Sequence, residues 1–226
     1  VYKRQTISGA NNLFLHDYGA YTNGENNVSC AQSNGQSLYY AIKNAKMGDQ
    51  IILESEEIMY YIPYSQDGIN PYSSYLENIT LIFDGTMILH NNISAWPMLS
   101  DDEYINAIDI RNSNNIIITG SGLIDGQGFS WWSDFFHGLI PRRRPTMIQF
   151  KDSTNILIEN LKLLNSPRFN IYADNVLHFE AKYLTIWVDI HKQEQISKLS
   201  SSSFMFPFNT DGVDVIGQDI YLHHLN

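Results

Sequence analysis

A phrase recurs along this chain. It reads NITLIFDGTMIL from Asn78, NIIITGSGLID from Asn115 and NILIENLKLLNS from Asn155, with looser copies HFEAKYLTIWV from His178 and DIYLHHLN from Asp219. Each copy opens on Asn or another polar residue and continues with apolar side chains at alternate positions. A small or polar bend and a second short apolar pair follow. A period of two sends successive side chains to opposite faces of an extended chain, so these segments are predicted strands. Asn155 and His178 are 23 residues apart, and the other copies are spaced by about 40 with insertions between them. One short strand group every 20-odd residues predicts a solenoid, and the all-β form that fits is a parallel β-helix. Asn recurring at equivalent bends suits such stacking, because amide side chains can bond to the coils above and below. A β-sandwich, also built of many short strands, is the alternative.

Upstream the period changes. SLYYAIKNAKMG places Leu38, Ala41, Ile42 and Ala45 at helical spacing, with Ser37 as the predicted N-cap and Gly48 as the stop. A short amphipathic helix there would cover the open apolar end of a solenoid. DQIILESEEIMYYIP then reads as the first strands. The expected organisation is a tail and lead-in over residues 1–32 and one partial parallel β-helix catalytic domain over 33–226. VYKRQ at the start is what a common sequencing-library adapter gives when translated, so residues 1–5 are expected to be non-native. The chain stops at Asn226 among strand-forming residues, which predicts a solenoid truncated at its C-terminus.

Composition narrows the partners. At 226 residues with 43% hydrophobic and 17% charged side chains, the chain can bury one full core. No stretch approaches the roughly 18 apolar residues of a membrane span. The net charge of −10 argues against nucleic acid as the main partner and requires a local basic site for any anionic substrate. Cys30 is the single cysteine, so no internal disulfide forms; it reads as a small buried hydrophobe. Asn27, Asn78 and Asn92 open glycosylation sequons, but 22 Asn and 30 Ser plus Thr give roughly three by chance.

Several stretches could carry chemistry. GSGLIDGQGFSWW (Gly120 to Trp132) lacks the Lys-Ser/Thr of a phosphate loop and reads as tight turns, with Asp125 capping one of them. The insertion after it is expected to bury Trp131 or Trp132 against the solenoid wall and to leave Arg142, Arg143 and Arg144 largely exposed. No histidine pair has zinc-ligand spacing, and His223 and His224 are expected on opposite faces of a strand. Ser200 to Ser203 read as a polar loop. In FNTDGVDV, Val213 and Val215 share one face and Asp214 takes the other. Strict alternation would bury Asp211, whereas a turn at Gly212 would aim it outward, so pattern alone does not choose between them.

NTDGVD, preceded by NSP (Asn165 to Pro167) and by GSGLIDGQG with its two tryptophans, resembles the polygalacturonase family of glycoside hydrolases from about Ser33 onward. The resemblance implies a right-handed parallel β-helix that is secreted, monomeric at full length and acts on pectic polysaccharide without metal or cofactor. It implies hydrolysis of α-1,4 bonds with inversion, by a carboxylic acid on one side and water-activating carboxylates on the other. Asp211 is implied as such a carboxylate, with Asn209 and Asp214 in supporting, substrate-binding roles. The family's paired Asp-Asp with the general acid, its Gly-His-Gly and its Arg-Ile-Lys do not follow Asp214 in these residues. The chain is therefore expected to hold one half of an active site and to be inactive alone. A His common after NSP is replaced here around Ile171 and Tyr172. The competing expectations are a rhamnogalacturonan-type hydrolase and a non-catalytic glycan-binding solenoid.

Overall fold

The computed structural model describes residues 10–65, 73–189, 191–192 and 206–226. Val1–Gln5 and Ser200–Ser203 lie outside these described residues. The recurrent phrases do stack as coils. Asn12–Phe14, Gln50–Leu53, Glu77–Phe83, Asn114–Thr119, Thr154–Glu159 and Ile171–Lys182 lie side by side in that order, followed by Val213–His223. A second stack holds Ile58–Tyr61, Thr86–Leu89, Leu123–Asp125, Lys162–Leu164 and Thr185–Trp187. A third begins with Ser73–Ser74, Ile108–Arg111 and Ile148–Lys151, and it continues into the first residues of Ile171–Lys182 and Val213–His223. Those two long strands run through a corner and so serve two stacks. Neighbouring strands in all three stacks are parallel. Among the described residues the one antiparallel ladder is Met98–Ser100 with Glu103–Tyr104, inside an insertion.

The register shows why the phrase repeats. Ile79, Ile116, Ile156 and Phe179 lie one above the other, as do Leu81, Ile118, Ile158 and Ala181. Ile116, Ile118, Ile156 and Ile158 point inward and are fully buried. Each such side chain contributes about 1.5–3 kcal/mol of burial, and identical spacing in each coil lets them pack as columns. At the corner before each strand, Asn78, Asn115, Asn155, His178 and Asp219 all have φ between 53 and 57°. That left-handed conformation is costly for most side chains and least so for Asn and Asp, which accounts for the recurrent amide. The ladder is also bonded: Asn115 donates its amide to Asn78, Asn155 donates to Asn114 Oδ1 at 2.8 Å, and His178 Nδ1 lies 3.1 Å from Asp219 Oδ2.

The N-terminal helix, α1, is longer than its pattern suggested. It spans Val28–Asn44, with Asn27 as its N-cap accepting from the Cys30 amide at 2.8 Å. Ser37 is not the cap. It sits buried inside the helix, and its hydroxyl donates to Ser33 O and Tyr18 O. The Ser-Asn-Gly-Gln stretch before Leu38 hid this, because its small polar residues face the coil end without breaking the helix. The helix ends at Asn44, and Gly48 lies beyond it in a left-handed turn (φ 95°). Ala31, Leu38, Ala41 and Ile42 join Leu15, Leu53, Met59 and Ile62 in one core, so the helix covers the solenoid end. The lead-in also contributes a strand, since Asn12–Phe14 pairs with Gln50–Ile52. Cys30 is buried and free.

Candidate active site

The glycine-rich stretch and NSP are two sides of one contact. The Gly126 amide donates to Leu164 O at 2.7 Å and the Gly128 amide to Asn165 O at 2.8 Å. A Cβ on Gly126 would lie 2.5 Å from Asn165 O, so only glycine lets these backbones meet. Asp125 caps the turn as expected, accepting from the Gln127 amide at 3.0 Å, and burial pushes its carboxyl pKa up. Helix α2 (Phe129–Phe136) follows, with Trp131 and Trp132 both buried, as their place beside the wall predicted. Trp132 Nε1 donates to Ser166 O at 3.0 Å, and Trp131 packs edge-on against Trp96 and Tyr104. Trp132 therefore braces the NSP segment from below, and neither buried ring offers a surface for sugar.

The three arginines divide. Arg142 and Arg143 are exposed, and Arg143 pairs with Glu103 at 2.8 Å. Arg144 departs from the expectation: it is 1% exposed. Its guanidinium sits 4.2 Å over the Phe135 ring and donates to Pro167 O, Phe208 O and Asn209 Oδ1 at 2.9–3.0 Å. Burial, with Arg168 nearby, pushes its pKa down to about 10, so it remains charged at neutral pH. A planar fork of fixed donors reaches acceptors spread around its rim, whereas the three donors of a lysine all radiate from one nitrogen. Arg144 thus ties NSP to NTDGVD, although its run-mates look identical in sequence.

NTDGVD lies on the outer surface against the preceding coil. Asn209 takes the left-handed conformation (φ 59°) and gives its side-chain oxygen to Arg144. Asn170, fully buried, donates its backbone amide to Asp211 O at 3.0 Å and its side-chain amide to Thr210 O and Asp211 O, both at 3.2 Å. The Ile171 amide reaches Gly212 O at 3.1 Å. The main chain of Asp211 is therefore pinned while its side chain is exposed, which answers the question that alternation left open. Val213 and Val215 pack on the core, and Asp214 faces outward in register with Tyr172. That register extends to Gln149 and Asp109, so Asp109, Gln149, Tyr172 and Asp214 form one polar row across the coils. Gln149 Nε2 and Arg111 both bond Asp109. Burial, then Asp174 and Asp214, raise the Tyr172 pKa while Arg168 lowers it.

Asp219 belongs elsewhere, in the corner ladder beside His178. The strand ends at His223, and His224 turns at φ 54°, so the two rings meet 4.9 Å apart instead of pointing to opposite faces. At the capped end His16 Nδ1 lies 2.9 Å from Glu57 and 3.7 Å from Glu54, an exposed ion-pair cluster that sequence spacing did not reveal. Arg144 and Asn170 are the site residues that sequence reasoning missed. Their only signal was position: each lies close to a Pro or an NSP motif, in a stretch of mixed polarity.

The described residues form a right-handed parallel β-helix with α1 and α2. Residues 62–224 match the glycosyl hydrolases family 28 model, and the chain belongs to that family. It is 36% identical over 110 residues to a probable polygalacturonase of Vitis vinifera, covering 42% of this chain and 22% of that protein. It is 26% identical over 194 residues to exopolygalacturonase B of Aspergillus niger, covering 80% of this chain and 39% of that protein. The chain thus spans well under half the length of these two relatives. Its structure resembles a polygalacturonase from Erwinia carotovora ssp. carotovora with a TM-score of 0.65 at 21% identity, covering 100% of this chain and 57% of that one. Among the described residues, no helix is long and apolar enough to cross a membrane.

Proposed function

We propose that this chain carries the water-activating half of a site that hydrolyses α-1,4 bonds between galacturonate units of pectin, with inversion at the anomeric carbon. The observation that carries the reading is Asp211, held by its main chain, exposed by its side chain and set beside Asp214 in a family 28 chain. A carboxylate so placed draws a proton from water as the water oxygen attacks C1. The C1–O bond breaks, and the departing oxygen takes its proton from a carboxylic acid on the opposite side, roughly 6.5–9.5 Å away in inverting enzymes. That acid belongs to the paired-aspartate motif, which does not follow Asp214 in these 226 residues. The chain alone is accordingly proposed to give no useful turnover. Asp214 and the free amide of Asn209 hold the sugar. The reaction needs no metal or cofactor, its polymeric substrate implies action outside the cell, and the enzyme is proposed to act as a monomer.

The test is polygalacturonate cleavage by the longest reading frame that contains these residues, with the anomer followed by proton NMR. The expected first product is the β-anomer. An α-anomer first, or an unsaturated product, would contradict the reading. Cleavage of rhamnogalacturonan alone would support the related-hydrolase alternative, and saccharide binding without cleavage the glycan-binding one.

A further inference from the structure

Arg168 stands at the edge of the site, with the Glu103 carboxylate near enough to favour its charge but bonded to Arg143. It follows NSP directly and is half-buried, and among the described residues it forms no ion pair. Its guanidinium lies 4.4 Å over the Phe169 ring, and Phe169 stacks on Tyr172 at 5.5 Å with the planes 17° from parallel. Tyr172 is the register partner of Asp214. Two residues on, Asn170 holds the Asp211 main chain. The cation, two stacked rings and the two site carboxylates are therefore contiguous. Arg142 and Arg143 are near enough to add to the effect of burial in disfavouring the charge on Arg168.

A partly desolvated guanidinium among other cations is unfavourable until an anion reaches it, and an acidic chain offers few such places. Stacking on Phe169 holds the fork in one plane, so little side-chain freedom is lost when it grips a carboxylate in two-point fashion. The adjoining aromatic faces suit the apolar face of a pyranose ring. A ligand that matches both features has a carboxylate attached directly to a sugar ring.

Resting on the function proposed above, we infer that Arg168, with Phe169 and Tyr172, forms a subsite for the carboxylate of a galacturonate unit neighbouring the one attacked at Asp211. This subsite distinguishes free galacturonate from its methyl ester, which presents no anion. The test is calorimetric titration of the 226-residue chain with trigalacturonate and with fully methyl-esterified trigalacturonate. The unaltered chain should prefer the acid by about tenfold or more. Arg168→Gln should remove that preference by weakening the acid alone, and Arg168→Lys should restore it in part, which separates the effect from misfolding. Equal loss for both ligands, or an unchanged preference in Arg168→Gln, would overturn the subsite while leaving the proposed function standing. No binding of either ligand by the unaltered chain would count against both.

Discussion

The two coils that carry the site are held in different ways. The Asn165–Tyr172 segment is braced from beneath by Gly128, Trp132 and Arg144, and its Ser166 and Asn170 are fully buried. The segment from Phe208 to Asp214 has Asn209 and Asp211 exposed, and its main chain hangs from Arg144 and Asn170 of the earlier coils. The second motif is thus positioned by residues 40 and 65 places upstream more than by its own neighbours. Substitutions beneath the first coil should therefore disturb the carboxylates on the second.

Arg144→Ala should have the largest effect. It removes three charge-assisted bonds, each worth about 1.5–3 kcal/mol, so urea denaturation should show a loss of about 3 kcal/mol or more. Arg144→Lys should not restore it. Gly126→Ala forces a Cβ against Asn165 O and should cost about 1–3 kcal/mol, read as a lower thermal midpoint. Asn170→Ala removes both side-chain bonds, to Thr210 O and Asp211 O, and leaves the backbone bond to Asp211 O; the expected loss is about 1–2 kcal/mol, with amide-exchange protection lost first at position 170 and Ile171. A comparable loss from Asn155→Ala, far from the site, should leave saccharide binding unchanged, and an equal fall in binding there would break the contrast between the coils.

The smallest effect concerns the docking of the last strand. The Lys182 ammonium, then His223, hold the Glu180 carboxyl below its ordinary value. A depressed acid contributes stability that is present above its unfolded pKa and lost as pH falls through the folded one. Glu180→Gln should therefore flatten the acid limb of the stability curve by about 0.2–1 kcal/mol, as measured by unfolding across pH.

The columns of the solenoid were legible because alternation and left-handed corners are local properties: Ile116, Ile156 and the recurrent Asn announce them directly. The helix was legible from Leu38, Ala41 and Ile42, but its start was not, since Asn27 and Ser37 are equally good caps until tertiary contact chooses. Arg144 was illegible for a different reason. Its burial depends on Pro167, Phe208 and Asn209, none near it in sequence, while Arg142 and Arg143 beside it stay in water. Whether Asp211 faced in or out likewise depended on Asn170 of the previous coil.

Asp211 is proposed to activate the attacking water. The most direct measurement is the rate of reducing-end release from polygalacturonate by the longest reading frame containing these residues, with Asp211 intact and with Asp211→Asn. Asparagine keeps the shape and the pinned main chain but cannot take a proton. The account predicts a kcat lower by about 10²–10⁴-fold with folding unchanged, and a variant that releases reducing ends at the unaltered rate would contradict it.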